Sequence, residues 1–126
     1  MNILLWLLQV LLAIAFFAHG YILLVPPAAI VDQMNASLPR WFQISLGVAE
    51  ILATVGLTLP AFTRIQPWLV SGAAAGIMIV MICATVFHVM RGEVSSAITT
   101  FVLLAIATFV AYLRWRVLPI RPRRFA

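Results

Sequence analysis

The chain has 126 residues, of which 65% are hydrophobic and only 9% are charged. A single soluble core of this length cannot bury so many apolar side chains, so the composition predicts an integral membrane protein and excludes an ordinary soluble domain. The net charge is +5, and Cys83 is the only cysteine, which excludes an internal disulfide or a C-x-x-C redox pair.

Four apolar runs follow one another and predict four membrane-spanning helices, over residues 3–25, 41–60, 68–90 and 94–113. Each run approaches the ~20 residues that a ~30 Å hydrocarbon core requires, and backbone hydrogen bonding in lipid favours helices. Ser37 is expected to cap the second helix, and Pro60 is expected to end it. We therefore expect one all-α domain over residues 1–126, a transmembrane up-down-up-down four-helix bundle.

The connections are short except for residues 26–40, where the sequence leaves open a plain loop, a short interfacial helix or a lid. Six of the eight arginines fall at one end of such a bundle: Arg64, Arg114, Arg116, Arg121, Arg123 and Arg124. Basic residues beside spans stay cytoplasmic, which predicts a multi-pass protein of the cell (inner) membrane with both termini in the cytoplasm. The basic tail favours lipid anchoring, and nucleic acid is not an expected partner because no recognition fold fits in the tail.

Glu50 is the one acid inside any of the apolar runs. An ionisable side chain near the centre of a spanning helix costs about 2.5–3.5 kcal/mol on insertion scales, so it usually faces a bundle interior or a cavity. At helical spacing Glu50 shares a stripe of about 80° with other polar or small residues. These are Gln43, Gly47, Thr54 and Thr58.

Polar residues of the other spans fall at depths similar to that of Glu50, counted at about 1.5 Å per residue. The pattern predicts a polar crevice that opens outward, with the candidate ligand-binding or polar-core residues Glu50, His88, His19, Gln43 and Thr85. Metal binding is disfavoured because the two histidines and the acid come from three helices without H-x-x-x-H spacing. A purely structural clamp between helices remains the main alternative, and the inner half is expected to be dry.

Gly72 and Gly76 form a G-x-x-x-G motif in the third span. Small residues at this spacing let two helices approach closely. The motif predicts either packing inside the bundle, which is the favoured interpretation, or contact with a second copy or a partner membrane protein.

Several short motifs together resemble those of the DoxX-like family of small four-helix integral membrane proteins. They are Ala18-His19-Gly20, Gly47-x-x-Glu50, and the stretches 84–93 and 111–114. Family members often have lysine where this chain has Tyr21, a departure that leaves His19 as the nearest counter-ion for Glu50. The resemblance implies a shared fold with varied roles: a subunit of a quinone-linked sulfur-oxidising system, a partner of oxidative-stress proteins, or an assembly chaperone.

The favoured function is that of an accessory membrane protein whose crevice holds a lipid, a quinone headgroup or a polar group of a partner. Catalysis is less favoured, because the sequence shows no nucleophile–base pair, cofactor motif or thiol pair. One alternative is a quinone-linked oxidoreductase subunit in which His19 and Glu50 move protons; another is a small proton or solute transporter. No cofactor is firmly predicted, and quinone or lipid is the class that would fit.

Overall fold

The computed structural model describes residues 1–124, so Phe125 and Ala126, the end of the predicted domain, lie outside the described residues. Within that range the chain forms five α-helices followed by a π-helical turn, and no strand. The elements are α1 (Asn2–Leu24), α2 (Val31–Ser37), α3 (Arg40–Thr63), α4 (Trp68–Met90), α5 (Val94–Tyr112) and the π-helical turn Leu113–Val117. The predicted all-α bundle of four long helices is confirmed.

Hydrogen bonds define two ends of this bundle. At the first, the α2 end, Arg91 in the turn between α4 and α5 lies 3.5 Å from the hydroxyl of Ser37 in α2. At the second, the tail end, Arg114 donates to Asn2 at the start of α1, and the backbone N–H of Arg123 donates to the carbonyl of Arg64 after α3. The start of α1, the end of α3 and the chain after α5 therefore meet at the tail end.

The second long helix differs from the prediction at both boundaries. α3 runs through Pro60 to Thr63, so the expected end at Pro60 is wrong; proline inside a membrane helix is tolerated where neighbouring groups compensate for its missing N–H. The helix ends instead at Arg64, whose φ of 59° is left-handed. Ser37 does not cap α3, because its hydroxyl donates to the carbonyl of Gln33 within α2.

The segment between α1 and α3 contains the short helix α2, which was one of the alternatives left open. Two α3 side chains hold this region in place. Arg40 donates to the carbonyls of Leu23 and Leu24 at 2.6 and 2.7 Å, so it closes the C-terminus of α1, where unpaired carbonyls attract cations. Gln43 donates to the carbonyl of Leu38 at 2.8 Å, which fixes the chain as it enters α3.

Glycines allow α1 and α3 to cross closely. A Cβ on Gly20 would lie 3.0 Å from the carbonyl oxygen of Gly47, and a Cβ on Gly47 would lie 3.0 Å from the carbonyl oxygen of Gly20. Gly72 and Gly76, by contrast, have no atom of residues 1–124 within 4 Å of an added Cβ. The favoured interpretation of the G-x-x-x-G motif as internal packing is therefore wrong, because both glycines lie on the outer surface.

The four long helices turn an apolar exterior outwards. Only 22–33% of the residues in their most apolar windows are buried, and large apolar side chains such as Leu7, Ile14, Leu52, Ile79 and Phe101 are exposed. Such a surface is far beyond what a water-soluble monomer exposes. Each helix is long and apolar enough to cross a bilayer, so the exterior is the lipid-facing surface of a multi-pass membrane protein.

Candidate functional site

Glu50 and His19 form a hydrogen-bonded pair between α3 and α1. The Oε2 of Glu50 lies 2.7 Å from Nδ1 of His19, and the two side chains differ sharply in burial: 2% of Glu50 is exposed against 59% of His19. The close crossing at Gly20 and Gly47 brings the two backbones together beside this pair. The acid is thus inside the bundle while its partner imidazole reaches the outer surface.

The second carboxyl oxygen of Glu50 is buried and has no hydrogen-bond partner among the described residues. The same side chain lines a groove of about 430 Å³ between α3 and α4, whose other walls are apolar or glycine. Leu52 and Gly76 on those walls are exposed, so the groove opens on the lipid-facing surface. A buried acceptor left unpaired costs about 1–3 kcal/mol, which makes this oxygen the group most in need of a ligand.

The groove extends from the level of Glu50 towards the tail end. Glu50 is ten residues from the start of α3, and Val80, also on the wall, is ten residues from the end of α4. Leu69 lines the opposite end, and eleven helical residues from Leu69 to Val80 span about 16 Å. Glu50, the one polar side chain on its wall, therefore lies at one end of a long apolar groove.

The other three predicted site residues lie in separate hydrogen-bonded groups. Gln43 is buried against the chain that follows α2. The Thr85 hydroxyl pairs with that of Thr100 at 2.9 Å, between α4 and α5. His88 is bonded to Glu93 in the turn between the same two helices. Of the five candidates, the structure joins only His19 and Glu50 directly.

The turn at residues 91–93 is a small charged cluster at the α2 end. Hydrogen bonds from His88 first, and from Arg91 second, hold the pKa of the Glu93 carboxyl below its ordinary value of 4.5. The Arg91 guanidinium also lies 5.2 Å from the Phe87 ring centre. Because Arg91 reaches Ser37 as well, this cluster links the α4–α5 turn to α2.

Sequence reasoning missed a second buried polar cluster, at the tail end. Arg114 was grouped with the exposed arginines of the tail, yet only 4% of it is exposed. Its Nε donates to Gln9 Oε1 at 3.2 Å and its Nη1 to Asn2 Oδ1 at 2.8 Å, while Gln9 donates to the carbonyl of Leu57. The inner half therefore contains a buried polar cluster that the sequence analysis did not predict. The available signal was Gln9, an isolated amide in an apolar run, at the depth where the last span ends.

No three histidine, cysteine or acidic side chains within residues 1–124 are grouped closely enough to hold a metal ion. The chemistry available at the candidate site is that of the carboxyl and the imidazole. Such a pair can share a proton, and the free carboxyl oxygen can accept a hydrogen bond or, when protonated, donate one. The arrangement therefore suits recognition of a small polar group at the end of an apolar tail.

Four lipid-facing helices and a buried acid that is bonded to a histidine define a small multi-pass four-helix membrane protein. The model of the DoxX-like family matches residues 7–110 of the 126. Because this match covers most of the chain, the protein belongs to the DoxX-like family, as its motifs predicted. The matched stretch includes all five predicted site residues and stops before Arg114. No curated protein and no solved structure matched the chain.

Proposed function

We propose that this protein is a non-catalytic accessory protein of the inner membrane, which holds a prenylated quinone or a similar apolar molecule with a small polar headgroup. The observation that carries the proposal is the unpartnered Oε1 of Glu50 at one end of the apolar groove between α3 and α4. A protonated Glu50 would donate to a quinone carbonyl, and an ionised Glu50 would accept from a quinol hydroxyl. The groove would receive the tail.

The depth of Glu50 favours a quinone over a phospholipid at this position. Ten residues from the start of α3 correspond to about 15 Å, which is close to the middle of a ~30 Å hydrocarbon core. A phosphate group at that depth would carry the large cost of a charge in the bilayer centre. A quinone ring is neutral, so it can lie there with its tail along the groove.

A second function, as a subunit of a quinone-linked oxidoreductase, is favoured by one specific observation. His19 is bonded to Glu50 at 2.7 Å, while 59% of its own side chain is exposed. The pair would therefore pass a proton from the groove to His19, which lies five residues before the end of α1 and thus near the α2 end, as the oxidation of a quinol requires. Electrons would have to pass to a partner protein, and the exposed surface around Gly72 and Gly76 is the predicted contact for such a partner or for a second copy.

We also propose that the tail end lies in the cytoplasm. Arg64 and the tail arginines share that end, as the contact between Arg123 and Arg64 supports, whereas Arg40 and Arg91 lie at the α2 end. The bias of arginines towards one side is the strongest determinant of orientation in short-looped membrane proteins. A C-terminal alkaline phosphatase fusion should be inactive and a C-terminal fluorescent fusion bright; the reverse would contradict this orientation.

Quinone binding by the purified protein tests the main proposal. Protein extracted in a mild detergent should contain about one quinone per chain, measured by solvent extraction and chromatography. Gly76→Leu should fill the groove, and because a Cβ added at Gly76 meets no described atom within 4 Å outside its own stretch of helix, the melting temperature should stay near that of the wild type. We expect at least a tenfold loss of affinity for a short-chain ubiquinone, equivalent to about 1.4 kcal/mol.

Gly72→Leu is the matched control, because Gly72 is equally open but does not line the groove. It should bind the ubiquinone as the wild type does. Equal binding by the two variants, or a wild type that neither co-purifies with quinone nor binds the analogue, would rule out the groove as a quinone site. Glu50→Gln should retain much of the affinity through its amide donor, whereas Glu50→Leu should not.

A further inference from the structure

We propose a second binding site at the tail end, in which Arg114 binds a phosphate-type anion such as the headgroup of an acidic phospholipid. This site is separate from the groove beside Glu50, and it does not depend on quinone binding. It rests on three observations about Arg114: its uncompensated charge, its unused donor and the cavity that it lines.

The first observation is that Arg114 is a buried cation without an acidic neighbour. Its hydrogen-bond acceptors within residues 1–124 are Gln9, Asn2 and the carbonyl of Leu118, all of them neutral. Its guanidinium lies 5.3 Å from the centre of the Trp6 ring, a favourable but weak contact. A buried charge is expensive unless an opposite charge accompanies it, so the site favours an incoming anion.

The absence of a counter-charge follows from where the chain places its acids. The sequence contains three acidic side chains. Asp32 is in α2, Glu50 pairs with His19, and Glu93 pairs with His88 and Arg91 at the α2 end. No acidic side chain of this chain therefore compensates the charge of Arg114, which leaves that role open to an anion from another molecule.

The second observation is a donor without an acceptor. Nε and Nη1 of Arg114 are engaged, but Nη2 is buried and makes no hydrogen bond to any described residue. The planar guanidinium matches the oxygens of a phosphate better than an ammonium group does. The hydrogen bonds of Nε and Nη1 fix the orientation of the guanidinium, so Nη2 is the nitrogen left for a ligand.

The third observation is a cavity of about 220 Å³ that Arg114 lines. The rest of its wall comes from Pro67, Trp68, Ser71, Trp115, Pro119, Ile120 and Pro122. At about 30 Å³ per water molecule, this space has room for a phosphate group. Ser71 supplies a hydroxyl on the same wall. Tryptophans gather at the level of lipid headgroups, so the cavity is at the depth where phosphates occur.

The chain beyond the π-helical turn closes one side of this cavity. Pro119, Ile120 and Pro122 contribute to the wall, and the backbone contact from Arg123 to Arg64 holds this segment against the turn after α3. Arg116 and Arg121 are exposed nearby. Neither of them lines the cavity, so the buried Arg114 supplies the specific contact.

Lipid binding by the delipidated wild type is the primary test. Native mass spectrometry in a neutral detergent should show one phosphatidylglycerol retained per chain. Its affinity should be about tenfold higher than that of phosphatidylcholine with the same acyl chains, because the choline cation of phosphatidylcholine offsets the phosphate charge that would compensate Arg114. Equal affinity for the two lipids would overturn the proposal. Saturation with inorganic phosphate alone, with equal thermal protection, would support an anion site whose ligand is a soluble phosphate.

Arg114→Gln should abolish the preference for phosphatidylglycerol, whereas Arg116→Gln should keep it. Arg116 is the matched control because it is exposed and stacks on Trp115. If Arg114→Gln does not fold, Ser71→Phe tests the site instead, because it fills the cavity without removing a hydrogen bond of Arg114. Loss of the preference for phosphatidylglycerol supports the site, and an unchanged preference overturns it. Gly76→Leu should not affect this preference, so failure of the quinone proposal and failure of this one are distinguishable.

Discussion

Each half of the bundle holds one buried ionisable side chain, and the two are compensated in different ways. In the half nearer the α2 end, Glu50 has a partner that can carry the opposite charge, and this partner, His19, reaches the outer surface. In the half nearer the tail end, Arg114 is surrounded by the neutral acceptors Gln9 and Asn2 and by the Trp6 ring. Both side chains keep one buried atom without a partner in the described chain.

The difference follows from the chemistry of the two groups. A carboxyl group can become neutral by taking up a proton, which removes most of the cost of its position in the membrane. A guanidinium group stays charged in any protein environment. The acid can therefore occupy the middle of the bilayer beside an apolar groove, while the arginine lies at the interface, where neutral acceptors and anionic headgroups are within reach.

The largest effect is expected from Gln9→Leu, which removes a neutral acceptor from the buried guanidinium. A charged donor that is left buried without its acceptor costs about 3 kcal/mol, and only 1% of Gln9 and 4% of Arg114 are exposed. The loss is measured by thermal or sodium dodecyl sulfate unfolding in detergent micelles. The double variant Gln9→Leu/Arg114→Met should recover most of the stability, since an apolar pair no longer holds a charge. If Gln9→Leu alone leaves the unfolding stability unchanged, the stability does not depend on the contact between Arg114 and Gln9.

The next effect concerns the helix crossing that positions the Glu50–His19 pair. Gly47→Ala would place a Cβ 3.0 Å from the Gly20 carbonyl oxygen, and overpacking of this kind costs about 1–3 kcal/mol. Gly72→Ala gains the same helix propensity, about 1 kcal/mol, without any close contact. The difference in unfolding free energy between the two variants therefore measures the cost of a methyl group at the crossing of α1 and α3. Equal stabilities would mean that α1 and α3 can separate without loss.

Much of the fold was predictable because it depends on local composition. The bounds of α4 are those expected from the apolar run, and Glu50 stood out as an acid among apolar neighbours. The wrong predictions concern residues whose position is decided by contacts between distant parts of the chain. Pro60 is buried within α3 rather than at its end, and Gly72 lies on the surface although its spacing is typical of packing. Arg114 looked like its exposed neighbours, because only the π-helical turn and Gln9 bring it inside.

A smaller effect is expected from Thr85→Val. This variant tests whether the packing of α4 against α5 depends on a polar contact, as the regions around Glu50 and Arg114 do. The hydrogen bond to Thr100 should contribute about 0.6 kcal/mol, the average for side-chain hydrogen bonds between membrane helices. Thr99→Val is the matched control, because Thr99 is exposed and bonds only to the carbonyl of Ser95 within its own helix. If Thr85→Val lowers the unfolding free energy more than the control does, the difference belongs to the contact between the two helices. If the two variants are equally stable, apolar packing alone holds α4 against α5.

The smallest effect is a pH dependence confined to the α2 end. The folded state lowers the pKa of Glu93 below 4.5, first through His88 and then through Arg91, so the native state favours the ionised carboxylate. The resulting stability is fully present above pH 4.5 and is lost as the pH falls from there through the lowered pKa. The melting temperature of the wild type should therefore decrease slightly more than that of Glu93→Gln between pH 6 and pH 3.

The comparison with Glu93→Gln isolates the contribution of Glu93, because the other two acidic side chains of the sequence, Asp32 and Glu50, are present in both proteins. The part of the pH dependence that disappears with Glu93 belongs to the turn that joins α4 and α5 and contacts Ser37 of α2. The cluster around Arg114 contains no carboxyl, so its contribution to stability should not change over this range. Parallel curves for the wild type and Glu93→Gln would mean that the ion pairs of the turn are too well solvated to stabilise the α2 end.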